Sequence, residues 1–544
     1  MSAHAFRLWH TLRYLRPSQV VARALRLRRP RVDDAPAPPV RSCTQLWVTP
    51  PAAEASLLGP TKVRFLNETG DLDSPASWND PRREKLWLYN AHYFDDLCAV
   101  DAASRRAWHE ALISRWIREN PPGYGNGWEP YPISRRVANW IKWALSGATL
   151  SPDAQKSLAI QVRWLRASLE YHLRGNHLLA NARALVCAGA YFSGEEAERW
   201  LREGRELLGR QLEEQILADG GHFERSPMYQ AIVLEDVLDA INALQAHGLD
   251  VPPRWKATAL GMRAWQWSMC HADGRISFFN DAAFGIAAEP AQLEEYVSRI
   301  LAATLPRPKR ESVLLQPSGY VRLEQDDLLA LIDCAPVGPD YIPGHAHADT
   351  LSFELSAGAC RVFVNSGTSC YGIGPERLRQ RGTAAHNTVE VDDENSSEVW
   401  HGFRVARRAR PGPVEFRSDA SESTVQGSHD GYRRLPGRNI HSRRWQLRAG
   451  SLTVIDSVSG PHRRAVARLL LHPEVEVVQA DERSVLVRTP ERGELHCRFL
   501  GADALRIETA TWHPEFGRTV ATRCISATLH NGKLETHIDY QRRA

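Results

Sequence analysis

The sequence predicts a multidomain α + β protein in which stacked helical hairpins precede a large antiparallel β-sandwich. Two changes of period carry that prediction. From about residue 103, and for roughly two hundred residues, apolar positions recur at helical spacing. In LLANARALVCAGAYF, Leu178, Ala182, Leu185 and Val186 fall at i, i+4, i+7 and i+8, and Val233, Val237, Ala240 and Ile241 repeat the pattern in AIVLEDVLDAINALQAHG. Past LPRPKRES at 305–312 the period drops to two, in short runs such as TLSFEL, RVFVN, TVEVDD and SVLVRT punctuated by Gly, Pro, Asn and Asp. At 544 residues the chain can bury more than one full core. The expected divisions are an N-terminal arm and linker (1–60), a helical domain (61–307) and a β-sandwich (308–544).

The arm comes first. Arg7, Arg13, Arg16, Arg23, Arg26, Arg28, Arg29 and Arg31 alternate with Leu8, Trp9, Leu12, Leu15, Val20, Val21 and Leu25, and no acid precedes Asp33. The arginines interrupt any apolar core that a secretory signal needs. Two placements are open for such a basic amphipathic segment, an anionic membrane surface or the body of the protein itself. DDAPAPPV and TPPAAEAS between residues 33 and 60 then read as a linker or extended cover.

Composition excludes several classes. Net charge is +4 and spread along the chain, which gives no support to nucleic-acid binding and is compatible with an acidic substrate. Nine cysteines, with no CxxC pair, do not form a disulfide framework. No apolar run reaches the length of a membrane-spanning helix.

In the helical half, RGNHLLANARAL at 174–185 places Asn176 and His177 at a helix start, where backbone dipoles favour an anion, although Asn176 also reads as a plain cap. DGGHFERSPMYQ brings His222, Glu224, Arg225 and Tyr229 together just before an amphipathic helix, with Pro227 in its first turn. NPPGYGNGWEPYPISRR carries Trp128 and Tyr131 in a Gly/aromatic loop that reads either as a sugar-stacking wall or as a rigid connection.

In the β half, PGHAHADTLSFEL puts His345 and His347 on the loop feeding a strand, and RGTAAHNTVEVDD brings His386 and Asn387 to the mouth of another. No GxSxG, HExxH, Walker or GxGxxG pattern is present. Glu224 and Asp349 could serve glycoside hydrolysis, but no spacing pairs them. An Asn, His, Tyr, His set with arginines suits proton abstraction beside a carboxylate instead. Elimination from a uronic acid needs a group to neutralise the carboxylate, a base for C5–H and an acid for the leaving oxygen.

NHLLANARAL, DGGHFERSPMY, GHAHADTLSFEL, VNSGTSCYG, RGTAAHNTVEVDD and SSEVWHGFRVARRA resemble the heparinase II/III-like polysaccharide lyases, across about 450 residues in both halves. The resemblance implies an incomplete (α/α) toroid followed by the β-sandwich, with an anionic polysaccharide or oligosaccharide bound in the groove between them. It implies Asn176 as carboxylate neutraliser, His177 as its helper, Tyr229 as general acid and His345 as base. Glu224, Arg225, Trp128, Tyr131, Arg377 and Asn387 are the expected substrate-binding residues. It also implies a structural Zn²⁺ held by the second His of HAHAD, an Asp of a VDPGT-like element and the His of AHN. Those positions are His347, Asn365 and His386 here, and a neutral amide in place of the Asp weakens such a site. The resemblance also implies the bacterial cell envelope or periplasm as the place of action. With the basic arm in place of a signal peptide, a cytoplasmic or inner-membrane-peripheral location is the alternative, and a non-catalytic polysaccharide-binding or exopolysaccharide-assembly factor on the same fold is the alternative to the lyase.

Overall fold

The computed structural model describes residues 3–26, 29–302, 305–306 and 311–542. Two short helices, α1 (Ala3–Leu12) and α2 (Pro17–Leu25), form the arm. The helical domain contains α3 (Lys85–Tyr93), α4 (Arg106–Glu119), α5 (Pro130–Leu145), α6 (Pro152–Ala167), α7 (Gly175–Tyr191), α8 (Glu195–Gln215), α9 (Pro227–Ala246), α10 (Pro253–Ser268) and α11 (Pro290–Leu301). They pack in sequence as an incomplete (α/α) toroid, with α7 against α5, α8 and α9, and α9 against α10 and α11.

Local chemistry explains the helix starts and the close packing. Ser151 and Ser226 cap α6 and α9 by accepting from Ala154 N and Tyr229 N, and proline occupies the first turn of both. The tight α7–α8 pair depends on two glycines. A Cβ on Gly189 would lie 2.4 Å from Leu201 N, and one on Gly204 would lie 2.7 Å from Val186 N. Burying Arg136 is tolerable because its guanidinium bonds Gln161 Oε1, His92 O and Gly127 O and lies 3.8 Å from the Trp116 ring centre.

The expected boundary at 307/308 lies outside the described residues; α11 ends at Leu301 and the first strand of the β half begins at Val313. That strand opens a five-stranded antiparallel meander through Tyr320–Gln325, Leu328–Asp333, Phe353–Ala357 and Cys360–Phe363. An eight-stranded and a four-stranded antiparallel sheet complete the sandwich. Strands such as Ser451–Val458 alternate buried with half-buried residues, as sheets with one wetted face do. Leu328–Asp333 is buried throughout because both of its faces are covered. One face meets the sandwich core around Phe353, Trp445 and Ile525. On the other, Tyr320, Leu329 and Leu331 pack on Trp265, Met269 and Phe279 of the helical domain.

That second contact fixes the two halves to each other. Arg361 pairs with Asp273, His271 bonds Glu354 and Ser356, and the Trp265 indole N–H donates to Ser318 Oγ. All nine cysteines are free thiols.

Candidate active site

Four segments meet where the domains face each other: the start of α7, the start of α9, the turn at 278–281 and the 343–349 loop. Tyr229 sits in the first turn of α9, positioned by the Ser226 cap and Pro227. The ring of His345 stacks on it from the β domain, with centroids 4.0 Å apart. The hydroxyls of Tyr229 and Tyr371 are 2.9 Å apart. Burial drives the phenol of Tyr229 well above its ordinary range, and Tyr371 and Asp281 push it the same way. It therefore holds its proton at neutral pH, as a general acid must.

Asp281 organises the β-domain side. One of its carboxylate oxygens is 2.8 Å from His345 Nδ1, and the other is 2.8 Å from His347 Nε2. Both accept from the guanidinium of Arg377. Burial opposes ionisation, but Arg377 and the two histidines hold this carboxyl well below the usual carboxylate range. An ionised Asp281 keeps the proton on His345 Nδ1, so the lone pair of Nε2 is presented on the other edge of the ring. Glu224 Oε2 stands 3.7 Å from that nitrogen.

On the helical side, α7 begins at Gly175 after Arg174 in a positive-φ conformation, so Asn176 lies in the first turn rather than at the cap. Its backbone N–H and side-chain amide both donate to Glu224, at 3.0 and 3.1 Å. His177 is the more open of the two, with 27% of its side chain exposed. Burial lowers its basicity, but Glu170 at 3.1 Å, with Glu224 and Glu129 farther off, outweighs that and raises it above the ordinary histidine value. Tyr131 lies against the His177 ring with centroids 4.5 Å apart. Of the two, His177 is thus the group whose protonated form the site favours, while Asn176 holds Glu224 in place.

Several expected substrate contacts are structural ties. Arg377 is 1% exposed and spends its guanidinium on Asp281 and Gly402 O. Arg225 is buried, bonding Ser318 O and Phe223 O. Trp128 packs in the helical core on Trp116 and donates to Asn120 O. Asn387 links Phe353 O to Leu470 N. Each misassignment has one cause: a polar side chain in a loop satisfies buried backbone groups as readily as it meets a ligand. Tyr131 and Glu224 do lie at the site. Asp281, Glu170 and Tyr371 were not among the expected site residues: a lone Asp after FFN carries no pattern, and VNSGTSCYG marks the segment of Tyr371 without giving that side chain a role.

The metal ligand set changes in one member. His347 Nδ1 and His386 Nε2 face each other at 3.3 Å, and these two residues with Asp349 offer ligand atoms all within 4.8 Å of one another. Asn365 Oδ1 instead stands 3.1 Å from His386 Nδ1, on the far side of that ring. Where Asp281 accepts from His347 Nε2–H and Asn365 Oδ1 accepts from His386 Nδ1–H, the two facing nitrogens would both carry lone pairs, an arrangement that fits a cation. Burial lowers His347 to about 4 and His386 to about 3, so both rings are neutral and able to ligate. In such a site Asn365 would orient a ligand, and the oxygen would come from Asp349.

Comparison with known proteins bears on the family and the fold. Residues 82–300 match the family described as Heparinase II/III N-terminus, and residues 307–541 match Heparinase II/III-like, C-terminal. The chain is 28% identical over 441 residues to FtsZ-localized protein C of Caulobacter vibrioides, covering 75% of this chain and 73% of that protein. It is 25% identical over 251 residues to a heparin-sulfate lyase of Bacteroides stercoris, covering 42% of this chain and 37% of that one. The solved structure titled Crystal Structure of Heparinase III superposes with a TM-score of 0.69 at 16% identity, over 88% of this chain and 80% of that one. A heparan sulfate lyase from Pedobacter heparinus superposes with a TM-score of 0.59 at 17% identity, over 97% of this chain and 89% of that one. At these identities the two structures establish the fold.

Proposed function

The chain belongs to the heparinase II/III-like family, and on that premise we propose that it is a polysaccharide lyase cleaving a uronic-acid-containing anionic polysaccharide by β-elimination. The observation that carries the reading is the close-packed Tyr229–His345 pair, contributed by two domains and flanked by His177, whose basicity Glu170 raises. The uronate carboxylate binds at His177, whose charge stabilises the enolate that forms when C5 loses its proton. His345 takes that proton on Nε2, with Asp281 stabilising the imidazolium through Nδ1. The electron pair of the C5–H bond becomes the C4–C5 double bond, the C4–O bond breaks, and Tyr229 protonates the departing oxygen. Tyr371 hydrogen-bonds the phenolate left behind and hands a proton back from solvent. Placed acid and base groups of this kind contribute about 10²–10⁴-fold each.

His347, His386 and Asp349 would hold a divalent cation such as zinc, whose chemistry there is to cross-link the 343–349 loop to the 383–388 segment. No catalytic step passes through it.

A panel of uronate polysaccharides scored for new ultraviolet absorbance tests the proposal. Unsaturated chain ends with at least one polymer are the expected result. Binding without new ends across the whole panel would favour a polysaccharide-binding or assembly factor, a reading that the similarity to FtsZ-localized protein C keeps in view.

A further inference from the structure

The arm is folded inside out. In α2, Pro17, Val20, Val21, Ala24 and Leu25 recur at i, i+3, i+4, i+7 and i+8, which is one apolar face of a helix. An ordinary surface helix buries that face. Here it points to solvent, with Val20 57%, Val21 58% and Leu25 58% exposed. The polar face is the one that docks. Gln19, only 4% exposed, donates to His172 O of the helical domain and to Tyr341 O of the β domain. Arg16 pairs with Glu214 and lies 3.8 Å from the Tyr341 ring centre, Arg26 is 2.6 Å from His172 Nε2, and Ser18 accepts from Arg174.

Helix α1 repeats the arrangement on the β domain. Thr11 is held by the Trp400 indole at 3.0 Å, Arg7 approaches Glu398 at 3.9 Å, and Arg407 lies over Phe6. Trp9 and Leu12 remain 59% and 47% exposed. Five large apolar side chains are thus displayed on one strap that is pinned to both halves of the molecule. Random surface exposure scatters such residues singly rather than in helical register.

Charge identifies the partner. The exposed Arg13 and Arg23 stand on the same two-helix segment, and residues 1–32 contain eight arginines and no acid. Apolar side chains in helical register among arginines match the acyl boundary and headgroups of an anionic bilayer. We infer that the outward face of the arm is a membrane-docking surface, inserting Trp9, Leu12, Val20, Val21 and Leu25 into an anionic lipid leaflet. No helix among the described residues is long and apolar enough to cross a membrane, so the attachment is peripheral. Because the strap is tied to His172 and Tyr341, five and four residues from His177 and His345, docking holds the inter-domain groove at a fixed orientation to the lipid surface.

The test is co-sedimentation of the full chain with phosphatidylcholine vesicles with and without phosphatidylglycerol. Binding is expected with the anionic vesicles and not with the neutral ones, and it should weaken with added salt. The triple variant Val20→Glu, Val21→Glu, Leu25→Glu should lose binding by about tenfold or more. Its circular dichroism and melting should stay unchanged, because all three side chains already face water. Arg13→Glu and Arg23→Glu should each weaken binding about fivefold. Equal sedimentation of parent and triple variant, or no binding to anionic vesicles, would overturn the inference. So would a dimer in solution that the triple variant dissociates, because a second copy would then be what covers the face. None of these outcomes depends on lyase activity.

Discussion

The His345 ring packs against Tyr229 with ring centroids 4.0 Å apart and the planes tilted by 32°, and only the approach of the β domain to the start of α9 brings them together. The stack fixes the imidazole edge and the phenol on one side of the groove, so that base and acid address the same sugar. Replacing Tyr229 with Phe keeps the ring and its packing while deleting the proton donor. Its turnover should fall by about 10²–10⁴-fold with the melting temperature unchanged, read from ultraviolet absorbance on the best substrate of the panel. Tyr371→Phe removes only the hydrogen-bond partner and should lose less. A Tyr229→Phe protein as active as the parent would refute the assigned acid.

Asp281 is the single carboxylate between the two histidines and Arg377, and it is fully buried. Asp281→Asn leaves the Arg377 guanidinium without its counter-charge, a change that typically costs about 3–5 kcal/mol. Urea unfolding should show a loss of that order, and activity should fall because His345 Nδ1 loses its anionic partner. The linkage has a definite sign. Arg377 and the histidines hold the folded carboxyl well below its unfolded value of 3.8. Its stabilisation is therefore complete above that value and disappears as the pH falls through the folded pKa. The parent should lose stability steeply below about pH 4, and the Asn variant less so over the same range.

The fold was legible because each half keeps one period over many residues. Val233, Val237, Ala240 and Ile241 can share a face only on a helix, and Ser451–Val458 alternates as a strand with one side wet. Tyr229, His177 and His345 were legible through short motifs with a family pattern. What no pattern carried was direction. Arg377 and Arg225 differ from ligand-binding arginines only in where their guanidinium groups point, and both point inward to carbonyls or to Asp281. Asp281 itself was invisible because its partners lie more than sixty residues away. For the arm, docking on the body and a membrane surface were both readable; which face docks was not, because the polar face does the packing.

His177 is the group whose charge the proposed reaction needs throughout. Burial acts against that charge, but Glu170 outweighs it and the folded pKa lies above 6.5. A raised histidine is fully charged below its ordinary value and loses its charge as the pH rises through the folded pKa. The alkaline limb of the pH–rate profile should accordingly fall above pH 6.5. His177→Gln, which can still donate a hydrogen bond but carries no charge, should flatten that limb and reduce turnover by about 10²-fold. An unchanged alkaline limb in the variant would assign the titration to another group. Glu170→Gln should move the limb to lower pH by removing the carboxylate that sustains the cation.

The two facing nitrogens of His347 and His386, 3.3 Å apart, offer the last test: either a cation lies between two lone pairs or one ring donates to the other. Elemental analysis of protein purified without chelator should find about one divalent ion per chain, of the borderline kind that two imidazoles and a carboxylate bind, such as zinc. His386→Ala should release it and lower the melting temperature. Asn365→Asp addresses the departure from the family pattern directly. A carboxylate accepting from His386 Nδ1–H makes the opposite nitrogen a stronger donor, and orienting partners of this kind change metal affinity by about 10–100-fold. A zinc titration against a chelating dye should therefore show tighter binding in Asn365→Asp than in the parent. Equal affinities would mean that the amide already supplies all the orientation His386 needs. A metal-free parent would instead require His386 Nε2–H to donate to His347 Nδ1 and the Asn365 amide to turn its N–H₂ toward His386 Nδ1, which satisfies Asn365 Nδ2, the one atom of this cluster now buried without a partner.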